Sequence, residues 1–211
     1  VIFDWDGVIA DSIQVQFNTM KELCKKFGKN FRFKDVDELR NNWMDPYFDL
    51  YESFGFNWER DEKDIVAHYK EYSKSSDIPV FKEMIKVIRK LKDTDMFLGL
   101  ATNNREEVVA HKIEENNLQG LFDIVITEDH ITRIKPDPEC LNIIMLKHNL
   151  KPEETIFVGD MHADIEAGNR AGCISVGVTW GWMSKEQLEE VDPDHIIDKP
   201  EELLRIIDEN T

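Results

Sequence analysis

The sequence lacks the features typical of several protein classes, and each missing feature excludes one class. Only three of its 211 residues are cysteines, far apart, and no CxxC spacing suggests a zinc site. Such a content is typical of reduced, buried thiols rather than of a disulfide framework. No uninterrupted apolar run approaches the roughly 18 residues of a membrane span. There is no internal repeat and no low-complexity tract, so we expect a globular protein of one or two domains.

Basic residues are scarce relative to acidic ones. The chain has 26 Lys and Arg against 43 Asp and Glu, which gives a formal net charge of −17. A long-range field of that sign repels nucleic acid and anionic membranes, so we expect neither as a partner. An anionic substrate would need local attraction from a metal ion, a lysine or backbone amides.

The first residues lack the pattern of a signal peptide. Residues 1–3 lead directly into Asp4, without a charged segment followed by an apolar one. The chain has no initiating Met, so we expect that it begins inside its first strand. Together with the reduced cysteines, these observations favour the cytoplasm as the compartment.

Short apolar runs recur along the chain, and each is followed by polar or glycine residues and then usually by a helical pattern. Strands that alternate with helices predict a doubly wound, mostly parallel α/β sheet. The predicted strands are residues 1–3, 96–101, 123–127, 155–158 and 174–178.

One long segment, residues 11–79, breaks this alternation because it contains helical patterns only. We therefore predict a core domain of residues 1–10 and 80–211 and an inserted helical cap of residues 11–79. The cap is rich in aromatic side chains, which we expect to form its core, with one or two facing a cleft as the alternative. The predicted helices are residues 12–27, 34–43 and 59–75 in the cap, and 82–91 after it.

The segment FDWDGV at residues 3–8 is the most informative part of the sequence. Side chains two apart on a strand point to the same face, so Asp4 and Asp6 project together if the strand conformation persists through Asp6, the residue before Gly7. Both follow the first strand, and open α/β sheets bind ligands at the carboxyl ends of their strands. Adjacent carboxylates repel each other, and a divalent cation is the usual relief. A surface turn without function is the alternative.

A second carboxylate pair follows the predicted strand 155–158. Asp160 comes just after Gly159, a residue that permits a close approach of the backbone. Asp164 falls in the first turn of the next helix, where capping alone could explain a carboxylate. If the strands that carry Asp4 and Asp160 are neighbours, three or four carboxylates converge on one oxygen-lined site, which suits Mg²⁺.

Two further loops supply groups that could bind an anion. Thr102, Asn103 and Asn104 follow a strand and precede a helix, and a hydroxyl with free N–H groups at a helix N-terminus forms an anion site. Helix capping by Thr102 or Asn104 is the alternative, and both roles could hold together. Lys135 stands next to a proline and close to a second, and these restrict its backbone and present it rigidly. A solvent-exposed lysine without function is the alternative.

In order and context, these motifs resemble the four motifs of the haloacid dehalogenase superfamily, and the match extends over the whole chain. The helical insertion is similar to that of the phosphoglycolate phosphatase and β-phosphoglucomutase-like branch. The endings VGVTWG at residues 176–181 and DHIIDKPEEL at residues 194–203 also resemble the phosphoglycolate phosphatase group. The resemblance implies a Rossmann-like α/β core with a helical cap.

The resemblance implies roles in catalysis for two carboxylates and three phosphate-binding residues. Asp4 would be the nucleophile that forms an aspartyl-phosphate, and Asp6 would act as general acid and then as general base. Thr102, Asn103 and Lys135 would bind the phosphoryl oxygens and offset their charge.

The resemblance also implies a bound Mg²⁺. The Asp4 carboxylate, the Asp6 backbone carbonyl and Asp160 would hold the ion. Asp164 would complete the site from the outer shell or steady Lys135.

The activity that the resemblance implies is that of a Mg²⁺-dependent phosphatase of small phosphorylated metabolites, with phosphoglycolate as the expected substrate. Asp6 argues against dehalogenase chemistry, in which no alcohol leaving group needs a proton. The alternatives are a β-phosphoglucomutase-like mutase and a non-catalytic regulator that binds a phosphorylated ligand. We expect a monomer or homodimer, and we expect the cap cluster RNNW at residues 40–43 to contact the substrate unless Arg40 is merely solvated.

Overall fold

The computed structural model describes residues 1–210, and its central feature is a six-stranded parallel sheet. The strand order is β3-β2-β1-β4-β5-β6, and every neighbouring pair is parallel. This confirms the predicted doubly wound α/β fold. The strands are β1 (Ile2–Phe3), β2 (Gly99–Ala101), β3 (Ile124–Ile126), β4 (Ile156–Gly159), β5 (Ile174–Val178) and β6 (His195–Ile197).

The strand order reverses between β1 and β4, which are neighbours in the sheet. Phe3 pairs with Val158, and the Asp4 amide donates to the Val158 carbonyl at 2.9 Å. The chain places β2 and β3 on one side of β1 and then crosses to the other side for β4, β5 and β6. Ligands of open α/β sheets bind outside the carboxyl ends of the strands at such a switch point. The residues that follow β1 and β4 therefore come together.

Two strands differ from the sequence prediction. β2 begins at Gly99 rather than at residue 96, because the Leu98 amide donates to the Asp123 side chain at 2.8 Å. β6 was not predicted, since only two of its three residues, Ile196 and Ile197, are apolar, whereas the equally short β3 is apolar throughout.

The two compact units of the chain are Val1–Asp11 with everything from Pro79 onwards, and Ser12–Ile78. The first unit carries the sheet and an apolar core in which Ile2, Phe157 and Ile144 are all buried. Its helices are α5 (Lys82–Lys92), α6 (Glu106–Glu115), α7 (Glu139–His148), α8 (His162–Ala171), α9 (Lys185–Glu189) and α10 (Glu202–Glu209).

The second unit is entirely helical and packs aromatic rings against each other. The Phe31 ring lies 5.1 Å from that of Phe17 and 5.4 Å from that of Phe54, measured between centroids. The third helix, YFDLYES, was missed because its seven residues are too few to show a sustained helical period. The helices are α1 (Ile13–Lys26), α2 (Val36–Asn41), α3 (Tyr47–Ser53) and α4 (Trp58–Ser75).

The described part of the chain contains no helix with the length and apolar character needed to cross a membrane. Cys24, Cys140 and Cys173 are buried free thiols, in agreement with the prediction of reduced cysteines.

Candidate active site

Three carboxylates converge beyond the ends of β1 and β4. Asp4, Asp160 and Asp164 are all buried, and one oxygen of each lies within 4.8 Å of the others. Asp4 directly follows β1, Asp160 directly follows β4, and Asp164 lies in the first turn of α8. The cluster thus forms at the switch point of the sheet, because its residues follow two neighbouring strands.

Burial and mutual repulsion alter the ionisation of this cluster. Removal from water raises the pKa of Asp4 to about 7, against the opposing effect of the Lys135 ammonium, and the carboxylates of Asp164 and Asp6 add to the rise. Burial, followed by the charges of Asp164 and Asp4, also raises the pKa of Asp160 well above its ordinary value. A cation among these groups would favour their charged forms.

Lys135 is the basic partner of the cluster and is only 3% exposed. Its Nζ donates to Asp4 Oδ1 at 2.8 Å, to Asp164 Oδ1 at 2.5 Å and to the Ala101 carbonyl at 3.1 Å. Burial alone lowers the pKa of Lys135, but the charges of Asp164 and Asp4 outweigh it and raise the pKa. The lysine is therefore a fixed positive charge beside Asp4, rather than a solvent-exposed side chain.

The two carboxylates after β4 have different hydrogen-bond partners. Asp164 Oδ2 accepts from the amides of Asp160 and Met161, each at 3.1 Å, while its Oδ1 accepts from Lys135. Asp160 Oδ2 accepts from the Trp182 amide at 2.6 Å, whereas its Oδ1 is buried and has no hydrogen-bond partner within residues 1–210. Asp164 both caps its helix and holds the lysine, and Asp160 keeps an oxygen for another ligand.

Two glycines let the backbone approach the Asp160 carboxylate. Gly7 has φ +75°, a left-handed conformation that L side chains rarely adopt, and a Cβ built on it would overlap that carboxylate. A Cβ on Gly181 would also overlap it. The backbone thus forms a close cradle around a carboxylate with one unpartnered oxygen. Such oxygen donors fit a small, hard divalent cation such as Mg²⁺.

Asp6 is held differently from Asp4. The strand ends at Phe3, so it does not continue through Asp6, which instead forms an isolated bridge with Ala10. The Asp6 carboxylate accepts from Asn104 Nδ2 at 2.7 Å through its Oδ2. Its side chain is not part of the three-carboxylate cluster, and a metal contact from its backbone carbonyl stays a prediction.

Thr102 and Asn103 follow β2 beside Lys135. Thr102 is 2% exposed, and its Oγ1 accepts from the Asn104 amide at 3.1 Å. The Asn103 side chain binds the Lys135 backbone twice: its Nδ2 donates to the carbonyl at 3.2 Å, and its Oδ1 accepts from the amide at 3.0 Å. The amide of Asn103 thus connects two loops, so any contact with substrate would come from its backbone.

The alternative role of Thr102 or Asn104 as the cap of α6 is wrong. Asp129 Oδ2 accepts from the Glu106 amide at 2.7 Å at the start of this helix, and Asn104 Oδ1 accepts from the preceding Arg105 amide. The sequence reasoning missed this cap because Asp129 belongs to the loop after β3.

Sequence reasoning also missed Trp182 and Gly181, which lie against Asp160, and it named Asn104 only as part of an anion site or as a helix cap, without a contact to Asp6. The only signal for Asn104 was its position beside Thr102 and Asn103. Gly181 is the last residue of the VGVTWG segment and Trp182 follows it, but that segment was noted only for its resemblance to the phosphoglycolate phosphatase group.

In the helical unit, the proposed substrate-contact cluster is engaged locally. The Arg40 Nη1 lies 3.6 Å from Asp37 Oδ1, and Trp43 Nε1 donates to Asp45 at 3.0 Å. A contact between this cluster and substrate stays a prediction.

Comparison with known proteins gives related sequences and structures over nearly the whole chain. Pyrophosphatase PpaX of Bacillus mycoides (strain KBAB4) is 26% identical over 210 residues, which cover 98% of this chain and 95% of the relative. A predicted phosphatase from Clostridium acetobutylicum has a solved structure that superposes with a TM-score of 0.85 at 23% identity, covering 99% of this chain and 97% of its own. For a predicted phosphoglycolate phosphatase from Haemophilus somnus 129pt, the TM-score is 0.82 at 21% identity, with coverage of 97% and 96%.

These structures share the fold, and the family follows from the sequence. The sequence model of the haloacid dehalogenase-like hydrolases matches residues 1–178, which include the carboxylate cluster, Lys135 and both asparagines. The chain therefore belongs to the haloacid dehalogenase-like hydrolase family and is a hydrolase, as its motifs implied.

Proposed function

We propose that this protein is a Mg²⁺-dependent phosphatase that hydrolyses small phosphorylated metabolites through an aspartyl-phosphate on Asp4. The observation that carries the proposal is the buried Asp4 carboxylate, which has Lys135 at 2.8 Å and Asp160 in the same cluster. A carboxylate in such a setting suits nucleophilic attack on phosphorus, because cationic groups beside it offset the repulsion from the phosphate. The name of the Bacillus relatives, pyrophosphatase, supports phosphoryl chemistry.

The first half-reaction transfers the phosphoryl group to the protein. An oxygen of Asp4 attacks phosphorus while the bond from phosphorus to the leaving oxygen breaks. Asp6 donates its proton to that oxygen, so that an alcohol departs instead of an alkoxide.

The second half-reaction releases phosphate. Asp6, now ionised, accepts a proton from the water that attacks phosphorus, and the bond between phosphorus and Asp4 breaks. Inorganic phosphate leaves, and both carboxyl groups return to their starting protonation states.

Lys135, Thr102 and Asn103 would hold the phosphoryl oxygens. Lys135 contributes a fixed charge, since its ammonium is buried among carboxylates and is not free to swing into solvent. Thr102 would offer its hydroxyl, and Asn103 its backbone N–H, because its side chain is bound to the Lys135 backbone. Positive and dipolar groups placed in advance stabilise the charge of a phosphoryl transition state.

Asp4 and Asp160 are the residues that would hold Mg²⁺, with the Asp6 carbonyl and with Asp164 in the outer shell. The unpartnered Asp160 Oδ1 supports this assignment, as does the use of both Asp164 oxygens by other donors. Bound Mg²⁺ would supply charge neutralisation and polarisation of the phosphoryl group. Local positive charge of this kind makes a net charge of −17 compatible with an anionic substrate.

Phosphoglycolate is the ester we expect as substrate, and pyrophosphate is a second candidate because of the name of the relatives. The two differ in their leaving groups, since an alcohol oxygen needs a proton far more than a phosphate oxygen does. Replacing Asp6 by Asn should therefore slow ester hydrolysis by about 100-fold or more, and pyrophosphate hydrolysis by less. Equal losses on both substrates would contradict the general-acid role.

The test of the proposal is phosphate release from a panel of phosphoglycolate, sugar phosphates and pyrophosphate, with Mg²⁺ or with EDTA. Wild type should release phosphate only with the metal, and a folded Asp4→Asn variant should release none. Undiminished release by Asp4→Asn would rule out the nucleophile. A protein that binds Mg²⁺ but hydrolyses nothing in the panel would favour the mutase or the regulator, which a sugar-phosphate isomerisation assay separates.

A further inference from the structure

Asn104 contacts the proposed general acid directly. Its Nδ2 donates to Asp6 Oδ2 at 2.7 Å, across 98 positions of sequence, and the residue is only 7% exposed. We propose that Asn104 is a positioning residue, which orients the Asp6 carboxyl for proton transfer to the leaving group. This inference rests on the proposed phosphatase function, and in particular on the role of Asp6.

The orientation of the Asn104 amide is determined by a second contact. Its Oδ1 accepts from the Arg105 backbone amide at 2.7 Å while its Nδ2 faces the Asp6 carboxylate. Exchange of the two amide atoms would turn an NH₂ group towards an N–H donor and an oxygen towards a carboxylate, which are two repulsive contacts. The group that faces Asp6 is therefore a hydrogen-bond donor.

The backbone of Asn104 is fixed as well. Its amide donates to Thr102 Oγ1 at 3.1 Å, and its carbonyl accepts from the Glu128 amide at 3.1 Å. With both side-chain atoms also bonded, Asn104 is anchored at four points. A residue anchored in this way can transmit a defined orientation to the carboxyl group that it touches.

The contact also restricts how the Asp6 carboxyl group can turn. Its Oδ2 lies 2.7 Å from an amide that is itself fixed, so rotation of the carboxyl group away from this orientation would break the hydrogen bond. Loss of Asn104 should impair proton delivery rather than phosphate binding.

Asn103 is the matched control for this role. It is the adjacent asparagine, but its side chain binds the backbone of Lys135 rather than Asp6. Removal of the Asn103 side chain should disturb the loop that carries Lys135. The charge of Lys135 acts on every substrate, irrespective of the leaving group.

The experiment compares Asn104→Ala, Asn104→Asp and Asn103→Ala on two substrates, the best alkyl phosphate of the panel and p-nitrophenyl phosphate. The aryl leaving group hardly needs a proton, so a defect in proton delivery appears as a difference between the two. For Asn104→Ala, kcat/KM should fall about 10- to 100-fold on the alkyl ester and by about threefold or less on the aryl ester. Asn103→Ala should lower both to a similar extent.

Asn104→Asp keeps the acceptor for the Arg105 amide but has no donor for Asp6, so it tests the same bond if the alanine variant does not fold. It should reproduce the selective loss on the alkyl ester. Equal losses on both esters for the Asn104 variants, or no loss, would overturn the positioning role while wild-type activity still stands. Absence of Mg²⁺-dependent release in wild type would instead overturn the proposed function, and this inference with it.

Discussion

Both units of this protein bury apolar side chains, but among the described residues only the α/β unit also buries charged ones. The α/β unit encloses an ammonium and three carboxylates at the end of its sheet, whereas the helical unit encloses mainly aromatic and aliphatic groups. Burial of apolar area stabilises a fold, while burial of charge costs free energy unless every charge is paired. The charged set is Asp4, Lys135, Asp160 and Asp164, and the apolar set includes Phe17, Leu39, Leu50 and Phe54. The difference indicates that the charged cluster is kept for chemistry rather than for stability.

The largest effect is expected from removal of the single buried cation of the cluster. Lys135→Ala should lower turnover by about 100-fold or more, since the charge beside Asp4 is lost. It should also reduce the free energy of unfolding by about 3 kcal/mol, because Asp4 and Asp164 would then repel each other unopposed.

Phosphate release and urea unfolding measure the two effects. The control is Lys25→Ala, at a lysine whose side chain is 77% exposed in α1, and it should change neither quantity measurably. An unchanged kcat/KM in Lys135→Ala would remove Lys135 from the site.

A substitution in the helical unit should affect stability alone. Leu50, in α3, is fully buried, and Leu50→Ala should reduce the free energy of unfolding by about 2–5 kcal/mol through the cavity that it leaves. The additional stability that Mg²⁺ confers should stay the same, because Leu50 contributes no charge or ligand.

Urea unfolding with and without Mg²⁺ tests this contrast, with Asp160→Asn as the opposite case. That variant should lose the stabilisation by Mg²⁺, which is about 2.7 kcal/mol for wild type at a concentration 100 times the Kd. Loss of the stabilisation by Mg²⁺ in Leu50→Ala would contradict this prediction, because it would show that packing in the helical unit affects metal binding.

The smallest effect concerns the stability cost of Asp4 itself. Its pKa rises from 3.8 in the unfolded chain to about 7, so the folded state favours its protonated form. The stability that protonated Asp4 contributes to the folded state is therefore fully present below about pH 4, and it is lost as the pH rises through about 7. Without metal at pH 8, Asp4→Asn should be more stable than wild type by on the order of 1 kcal/mol or more.

Thermal or urea unfolding at pH 5 and pH 8 in EDTA measures this difference, which should shrink at the lower pH. A wild type more stable than Asp4→Asn in EDTA at pH 8 would mean that Lys135 more than compensates the burial of Asp4. The charged cluster would then stabilise the fold, as the apolar core of the helical unit does.

Local patterns predicted much of the fold and failed where structure depends on distant partners. Apolar runs identified five of the strands, but β6 has only two apolar residues, Ile196 and Ile197, and forms no such run. The start of α6 was misread because the group that caps it, Asp129, lies 23 residues away from the Glu106 amide. The contact of Asn104 with Asp6 was not predicted because nothing local connects the two residues, which are 98 positions apart.

The sequence by itself determined the order of strands along the chain, the presence of carboxylates after β1 and β4, and donor chemistry suited to a hard cation and a phosphoryl group. These follow from hydrophobic period and residue type, which are local properties. Only the tertiary structure decided that β1 and β4 are neighbours, that Lys135 lies between Asp4 and Asp164, and that Asp160 keeps one oxygen unpartnered. Strand adjacency and the partner of each oxygen arise from packing among distant segments, and no local pattern encodes them.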